Sequence, residues 1–250
     1  MLLLDPRATA EGARLTIHDV VGSTNAEALA LARQGERGPL WIVAERQTAG
    51  RGRRGRTWVS QRGNLFATLL LTIFAPAERR PQLSLVAALA VYDAVLAIAP
   101  RLAPRMGIKW PNDLLLDGAK FAGILVEAAD EHAAAIGIGI NCISHPAGTN
   151  YPATDLAAAG VLASPIMLVP PLSLNTMLRL AQWNGGEGFS IIRADWLARA
   201  AAIGKEIRLR MEDRELCGCL ETLDGSGGLV LRLPDGHAET ITAADVLIAG

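Results

Sequence analysis

Between residues 45 and 63 the chain reads Glu-Arg-Gln-Thr-Ala-Gly-Arg-Gly-Arg-Arg-Gly-Arg-Thr-Trp-Val-Ser-Gln-Arg-Gly, and this stretch limits what the rest can become. It carries six of the 24 Lys and Arg side chains, four of them at positions 51, 53, 54 and 56 with Gly50, Gly52 and Gly55 close by. Guanidinium groups this close repel one another, and a glycine-rich backbone is entropically expensive to order. The segment therefore predicts a loop that settles around an anion. Phosphate suits it, because arginine offers a planar fork of donors and glycine N–H groups can approach phosphate oxygens closely. A solvated surface loop is the competing reading, but Gln47 and Trp58 bracket the arginines with an amide and a stacking surface. Leu40-Trp41-Ile42-Val43-Ala44 before it and Leu65 to Leu71 after it read as buried strands. A cationic lid between two rigid strands is the expected arrangement.

The overall balance makes this cluster a local device. With 24 basic and 25 acidic residues the net charge is −1, so no basic face for nucleic acid is expected. At 250 residues, half of them apolar, the chain can build one large core, or a core and a small appended domain. Cys142, Cys217 and Cys219 are too few for a disulfide framework, and no Cys/His pair completes a zinc site, so no metal site made by protein alone is expected. Met1 to Leu4 is too short for a signal-peptide core, and the apolar run Leu83 to Ala99 falls short of a membrane span. A cytoplasmic protein without a membrane partner is the simplest expectation.

Leu15 to Val20 alternates as a strand does. Ser23-Thr24-Asn25 follows, and the spacing of Thr24 and Glu27 predicts a capping box opening a helix that Gly35 ends. The three small polar side chains either cap that helix or line a pocket for a polar heterocycle; the spacing fits both. Pro81 precedes a core helix to about Ala99. In Lys109-Trp110-Pro111-Asn112-Asp113, Pro111 interrupts any ladder and places Asn112 and Asp113 at a turn. Asp117-Gly118 signals a hairpin, and period-two alternation then puts Lys120 on the face of Ala122 and Ile124. An inward lysine is costly unless it meets an anion. Ala135-Ile136-Gly137-Ile138-Gly139-Ile140 has one bulky and one bare face, open to a ligand or to tight packing, and Asn141 closes it with an amide suited to a purine edge. Residues 145–171 read as loop with short helical turns, followed by helices at about 172–183 and 189–200. Four short strands, 206–211, 215–223, 228–233 and 237–242, suggest a small β-barrel.

Taken together, Ser23-Thr24-Asn25, the Gly50–Arg56 run, Lys109 to Asp113 with Lys120, and Gly137 to Asn141 resemble the biotin protein ligases. The resemblance covers most of the chain. It implies an α+β fold: a catalytic domain like that of class II aminoacyl-tRNA synthetases over residues 1–202, a mixed sheet with helices, and a Src-homology-3-like barrel over 203–250. It implies that biotin and MgATP form biotinyl-5′-AMP and that a lysine of a carboxylase's biotin carboxyl carrier protein then takes the acyl group. Ser23, Thr24, Asn25 and Gln47 would bind the ureido ring, and Arg51, Gly52 and Arg53 would close over biotin and phosphate. Lys120 and Arg53 would be catalytic, while Gly123, Gly137 and Gly139 would let the ligand approach. The nucleotide would meet Arg51, Arg53, Arg54, Arg56, Trp58, Asn112, Asp113, Lys120 and Asn141. With about 14 residues before the first strand, DNA binding is not expected; monomer and homodimer both stay open. The tail from Ala244 to Gly250 lacks the arginine that regulatory members carry there, which puts a nucleotide contact by the barrel in question. A lipoyl or octanoyl transferase using Cys142, and a nucleic-acid module built on the arginines, are the rival readings.

Overall fold

The computed structural model describes residues 3–211 and 214–248. The last two residues of the tail weighed above, Ala249 and Gly250, lie outside them. A seven-stranded sheet has the order β1-β2-β3-β7-β6-β5-β4, built from Arg14–Val21, Leu40–Gln47, Leu65–Thr72, Met106–Lys109, Asp113–Leu116, Ala119–Ala128 and Ala133–Ile140. Only β1 and β2 run parallel; every other neighbouring pair is antiparallel. Helix α1 (Pro6–Ala10) precedes the sheet, and α2 (Thr24–Arg33) connects β1 to β2.

The two faces of the sheet are used differently. On one, α2 sets Ala28, Leu29 and Ala32 against Leu40, Ile42, Leu70, Ala133 and Ala135. On the other, α3 (Gln82–Ile98), α4 (Pro165–Trp183) and α5 (Phe189–Leu197) form the main core. Helix α3 is buried nearly all round, from Leu83 and Leu85 through Leu89 to Val95, as a helix apolar on every side must be. Truncating Leu89, which is 0% exposed, to alanine would cost roughly 2–5 kcal/mol. The helical run extends back to Ala77 through a short 3-10 turn, making 22 residues, so length alone does not exclude a membrane span as the sequence suggested. Its surroundings, however, are α4, α5 and the sheet.

Helix α4 also differs from expectation, starting at Pro165 rather than near 172 and running through Pro170 and Pro171. The two carbonyls that lose their helical N–H partners belong to Ile166 and Met167, which are exposed, so water can satisfy them. The C-terminal strands are Glu206–Arg210 (β8), Glu215–Leu223 (β9), Leu229–Arg232 (β10), Ala238–Ile241 (β11) and Asp245–Ile248 (β12), in the antiparallel order β11-β10-β9-β8-β12. The meander pattern missed β12, whose four residues gain strand character by pairing with β8. This sheet docks through Trp110 Nε1–H to Gly227 O (3.0 Å) and Arg193 to Thr222 Oγ1 (2.7 Å).

Candidate active site

The floor of the site lies on the α2 face of the sheet, beyond the N-terminus of that helix. Strand β7 changes from Ala133 and Ala135 under the helix to Gly137 and Gly139 where the helix ends. At Gly137 a Cβ would lie 2.2 Å from Asn25 Oδ1, and at Gly139 2.5 Å from the Trp58 ring, so the bare strand face is needed for side chains to descend onto it. Ser23, not Thr24, is the helix cap, accepting from Ala26 N at 3.5 Å. The cap thus lies one residue earlier than expected. Because Ala26 stands three residues after it, it is a simple serine cap and not the capping box expected from Thr24 and Glu27; Thr24 is left free for the pocket. Gln47 Oε1 accepts the Thr24 backbone N–H (2.8 Å), and Gln47 Nε2 donates to Ser60 Oγ (2.9 Å). Asn25 Nδ2 donates to Leu125 O (3.1 Å) and Glu127 Oε2 (2.8 Å). Ser23, Thr24, Asn25, Gln47, Arg51, Gly52, Trp58, Asn112, Lys120, Gly123, Gly137 and Gly139 thus line one open cavity of about 50 Å³.

Above this floor the arginine loop forms a small hairpin. Arg51 bridges Thr57, Gly52 N donates to Arg56 O (2.7 Å), and Trp58 N donates to Gly50 O (2.9 Å). Its tip is a 3-10 turn in which Arg54 takes a left-handed backbone, φ 54°. The anions that the sequence demands here are the protein's own carboxylates. Arg51 meets Glu127 at 3.0 Å, and Arg56 and Arg54 meet Asp245 of β12 at 2.7 and 3.2 Å. Arg53 donates to Asn112 Oδ1 (3.1 Å), and burial pulls its guanidinium below the usual arginine range although Asp245 and Asp113 oppose this. Burial pushes the Asp245 carboxyl upward, yet the Arg56 hydrogen bond and the charges of Arg56, Arg54 and Arg53 bring it below its ordinary value.

Lys120 reaches the site by a route that simple alternation did not predict. Leu114 pairs with Ala122 but Leu115 with Lys120, so Phe121 is an extra residue, a β-bulge in β6. The bulge sends both Phe121 and Ala122 into the core and reverses the parity. Lys120 consequently shares its face with Gly123, not with Ala122 and Ile124; a Cβ at Gly123 would lie 3.2 Å from Lys120 Cε. Its ammonium sits 2.6 Å from Asp113 Oδ1 and 5.3 and 5.4 Å from the ring centres of Trp58 and Tyr151. Asp113 also pairs with Lys109 at 3.3 Å. It opens β5 opposite Lys109, so of the expected turn pair only Asn112 remains in the turn.

Two more cavities adjoin the first through Trp58 and Lys120. One, about 100 Å³, is lined by Arg53, Arg56, Asn112, Asp113 and Tyr151 together with Arg210, Asp245 and Val246 of the C-terminal sheet. The other, about 60 Å³, brings in Asn141, whose Nδ2 donates to Thr154 O at 3.0 Å. Among the predicted site residues Arg54 alone lines none of the three, because it turns to Asp245. Cys142 is 0% exposed and burial pushes its thiol to about 12, which removes it as a nucleophile. Thr68, Glu127, Tyr151 and Asp245 are the participants the sequence reading missed. Thr68 and Glu127 had a signal, a hydroxyl inside an apolar strand and a carboxylate in phase with Gly123; Tyr151 and Asp245 had none.

A polar pocket joined to a cationic loop and an inward lysine defines a site suited to small molecules that carry both polar and anionic groups. Comparison with known proteins narrows that class. Residues 19–141 match the biotin/lipoate A/B protein ligase family and residues 202–248 the biotin protein ligase C-terminal domain. A biotin--[acetyl-CoA-carboxylase] ligase of Paracoccus denitrificans is 43% identical over 91% of this chain and 98% of its own length. One from Mycobacterium tuberculosis is 33% identical over 90% and 85%. The structure of a biotin protein ligase from Aquifex aeolicus in complex with biotin and ATP superposes with a TM-score of 0.81 at 26% identity, covering 94% of this chain and 99% of that one. The chain belongs to the biotin protein ligase family.

Proposed function

We propose that this chain is an ATP-dependent ligase that activates biotin as biotinyl-5′-AMP and transfers it to a lysine of a carboxylase's biotin carrier domain. The observation that carries the reading is the meeting of the Ser23–Asn25 floor, the arginine loop and Lys120 around adjoining cavities. Biotin's ureido ring lies on Ser23, Thr24, Asn25 and Gln47, its carboxylate toward Lys120, and the nucleotide in the second and third cavities near Trp58, Asn112 and Asn141. A carboxylate oxygen attacks the α-phosphorus, and pyrophosphate leaves. Two anions meet in this step, so neutralisation and alignment by Arg51, Arg53 and Lys120 supply most of the catalysis. In the second step the carrier amine attacks the acyl carbon, AMP departs and the nitrogen gives up a proton.

Among the described residues no three acidic, histidine or cysteine side chains gather to hold a metal by themselves. A magnesium ion arriving with the triphosphate needs only one or two carboxylates; Asp113 lines the nucleotide cavity and would hold the ion there by giving up Lys109 or Lys120, with which it is paired. The ion would neutralise phosphate charge there. The catalytic part runs to residue 202 and the barrel-like part from 203, and the reaction takes place in the cytoplasm. Labelled biotin should pass to a carrier domain only when ATP is present; equal transfer without ATP would refute the reading.

A further inference from the structure

Thr68 sits in the middle of β3, between Ile42 of β2 and Gly137 of β7, and it is 0% exposed. It lines none of the cavities, yet its Oγ1 lies 2.8 Å from Thr24 Oγ1 and 2.7 Å from Asn25 Oδ1. The Asn25 amide can face only one way: its Nδ2 spends both protons on Leu125 O and Glu127 Oε2, so the atom toward Thr68 is the carbonyl oxygen. That oxygen can only accept. Thr68 has one proton and must give it to Asn25, so Thr24 must give its own to Thr68. The 3.1 Å approach of Thr24 Oγ1 to Gln47 Oε1 is then the weaker branch, and Gln47 is held by the Thr24 backbone N–H instead.

The row therefore has a direction, Thr24 to Thr68 to Asn25, with a consequence for the ligand. With its proton turned inward, Thr24 shows lone pairs to the cavity, and Asn25 Oδ1 keeps one free lone pair beside them. The floor at this point accepts hydrogen bonds and does not donate them. We propose that Thr68 is a positioning residue that fixes this acceptor surface and so selects a ring whose N–H groups face β3. The inference rests on the biotin reading, since a cyclic urea supplies such N–H donors.

The test compares Thr68→Val, which keeps the shape and removes the hydroxyl, with Thr68→Ser, which keeps the hydroxyl. Steady-state adenylate formation should show the biotin KM of Thr68→Val raised about 10–100-fold, the range expected when buried partners are left unpaired. Its kcat should stay within about threefold, and its ATP KM should not move. Thr68→Ser should lie within about threefold of wild type in biotin KM, and calorimetric biotin binding should follow the same order. A merely structural role would lower the active fraction and leave KM alone. If melting shows Thr68→Val unfolded, Thr68→Ala gives the same reading. A biotin KM unchanged in the folded hydroxyl-free variant, or a serine variant as impaired as valine, would overturn the role of Thr68. A wild-type chain that makes no biotinyl-adenylate would overturn the underlying reading with it.

Discussion

The floor and the loop of this site are both polar, but they are stabilised in different ways. The floor is buried: Thr24, Asn25 and Thr68 are at most 4% exposed and are joined by hydrogen bonds to a central strand. The loop's ion pairs are half in solvent, with 44% of Arg51 and 49% of Arg56 exposed, and they reach to β6 and to a strand nearly 190 residues away. Ion pairs of this exposure are worth about 0–1 kcal/mol each, whereas an unsatisfied buried hydrogen-bonding group costs about 1–3 kcal/mol. On the proposed reading, recognition of the neutral ring falls to rigid structure. On the same reading, phosphate handling falls to arginines that now pair with Glu127 and Asp245 and would exchange those partners for a ligand's oxygens.

The contrast can be tested from both sides. Lys120→Ala should have the largest effect, slowing single-turnover adenylate formation roughly 10²–10³-fold, as expected for one preorganised charge-stabilising donor. An unchanged rate would separate Lys120 from the chemistry. On the floor, Gly137→Val forces a Cβ to within 2.2 Å of Asn25 Oδ1. It should cost roughly 1–3 kcal/mol of stability and weaken biotin binding at least about tenfold, read by melting and calorimetry. In the loop, Asp245→Asn should change stability by less than about 1 kcal/mol while speeding trypsin cleavage between residues 51 and 56. Because the Asp245 carboxyl is lowered in the fold, its hold is full above the ordinary carboxylate pKa and is lost only as pH falls through the lowered value. Loop cleavage by trypsin should therefore respond little between about pH 8 and 5 beyond the protease's own profile.

The smallest effect is expected at an ion pair remote from both regions. Glu36 is drawn down to about 2, first by its hydrogen bond from Arg14 and then by the Gly38 N–H, despite the opposing effect of burial. Its contribution is present above about 4.5 and disappears as pH falls through 2. Arg14→Ala should leave the melting temperature at pH 7 almost unchanged, since the Arg14 side chain lies in solvent. A melting change as large as that of Gly137→Val would erase the distinction between buried and exposed polar contacts.

Much of this was legible beforehand where the cause is local. Strands β2 and β3 follow from apolar runs, the β5–β6 hairpin from Asp117-Gly118, and the bare face of β7 from its Ile-Gly alternation. What stayed hidden depends on distant pairing. The bulge that turns Lys120 into the site arises from the register of β6 against β5, and β12 exists as a strand because β8 supplies its partner. Asp245 could not be recognised as the loop's counter-ion until that strand was placed. The Ser23 cap was missed because Ser23 and Thr24 are both good caps, and only the surroundings of Thr24 decide between them.

Hydrogen exchange, with and without biotin and ATP, tests the division of labour most directly. The account predicts that amides of 50–58 gain protection of about tenfold or more when both ligands are added, while those of 65–70 and 135–140 change by less than about twofold. Equal gains in the loop and in the two strands, or none in the loop, would contradict it.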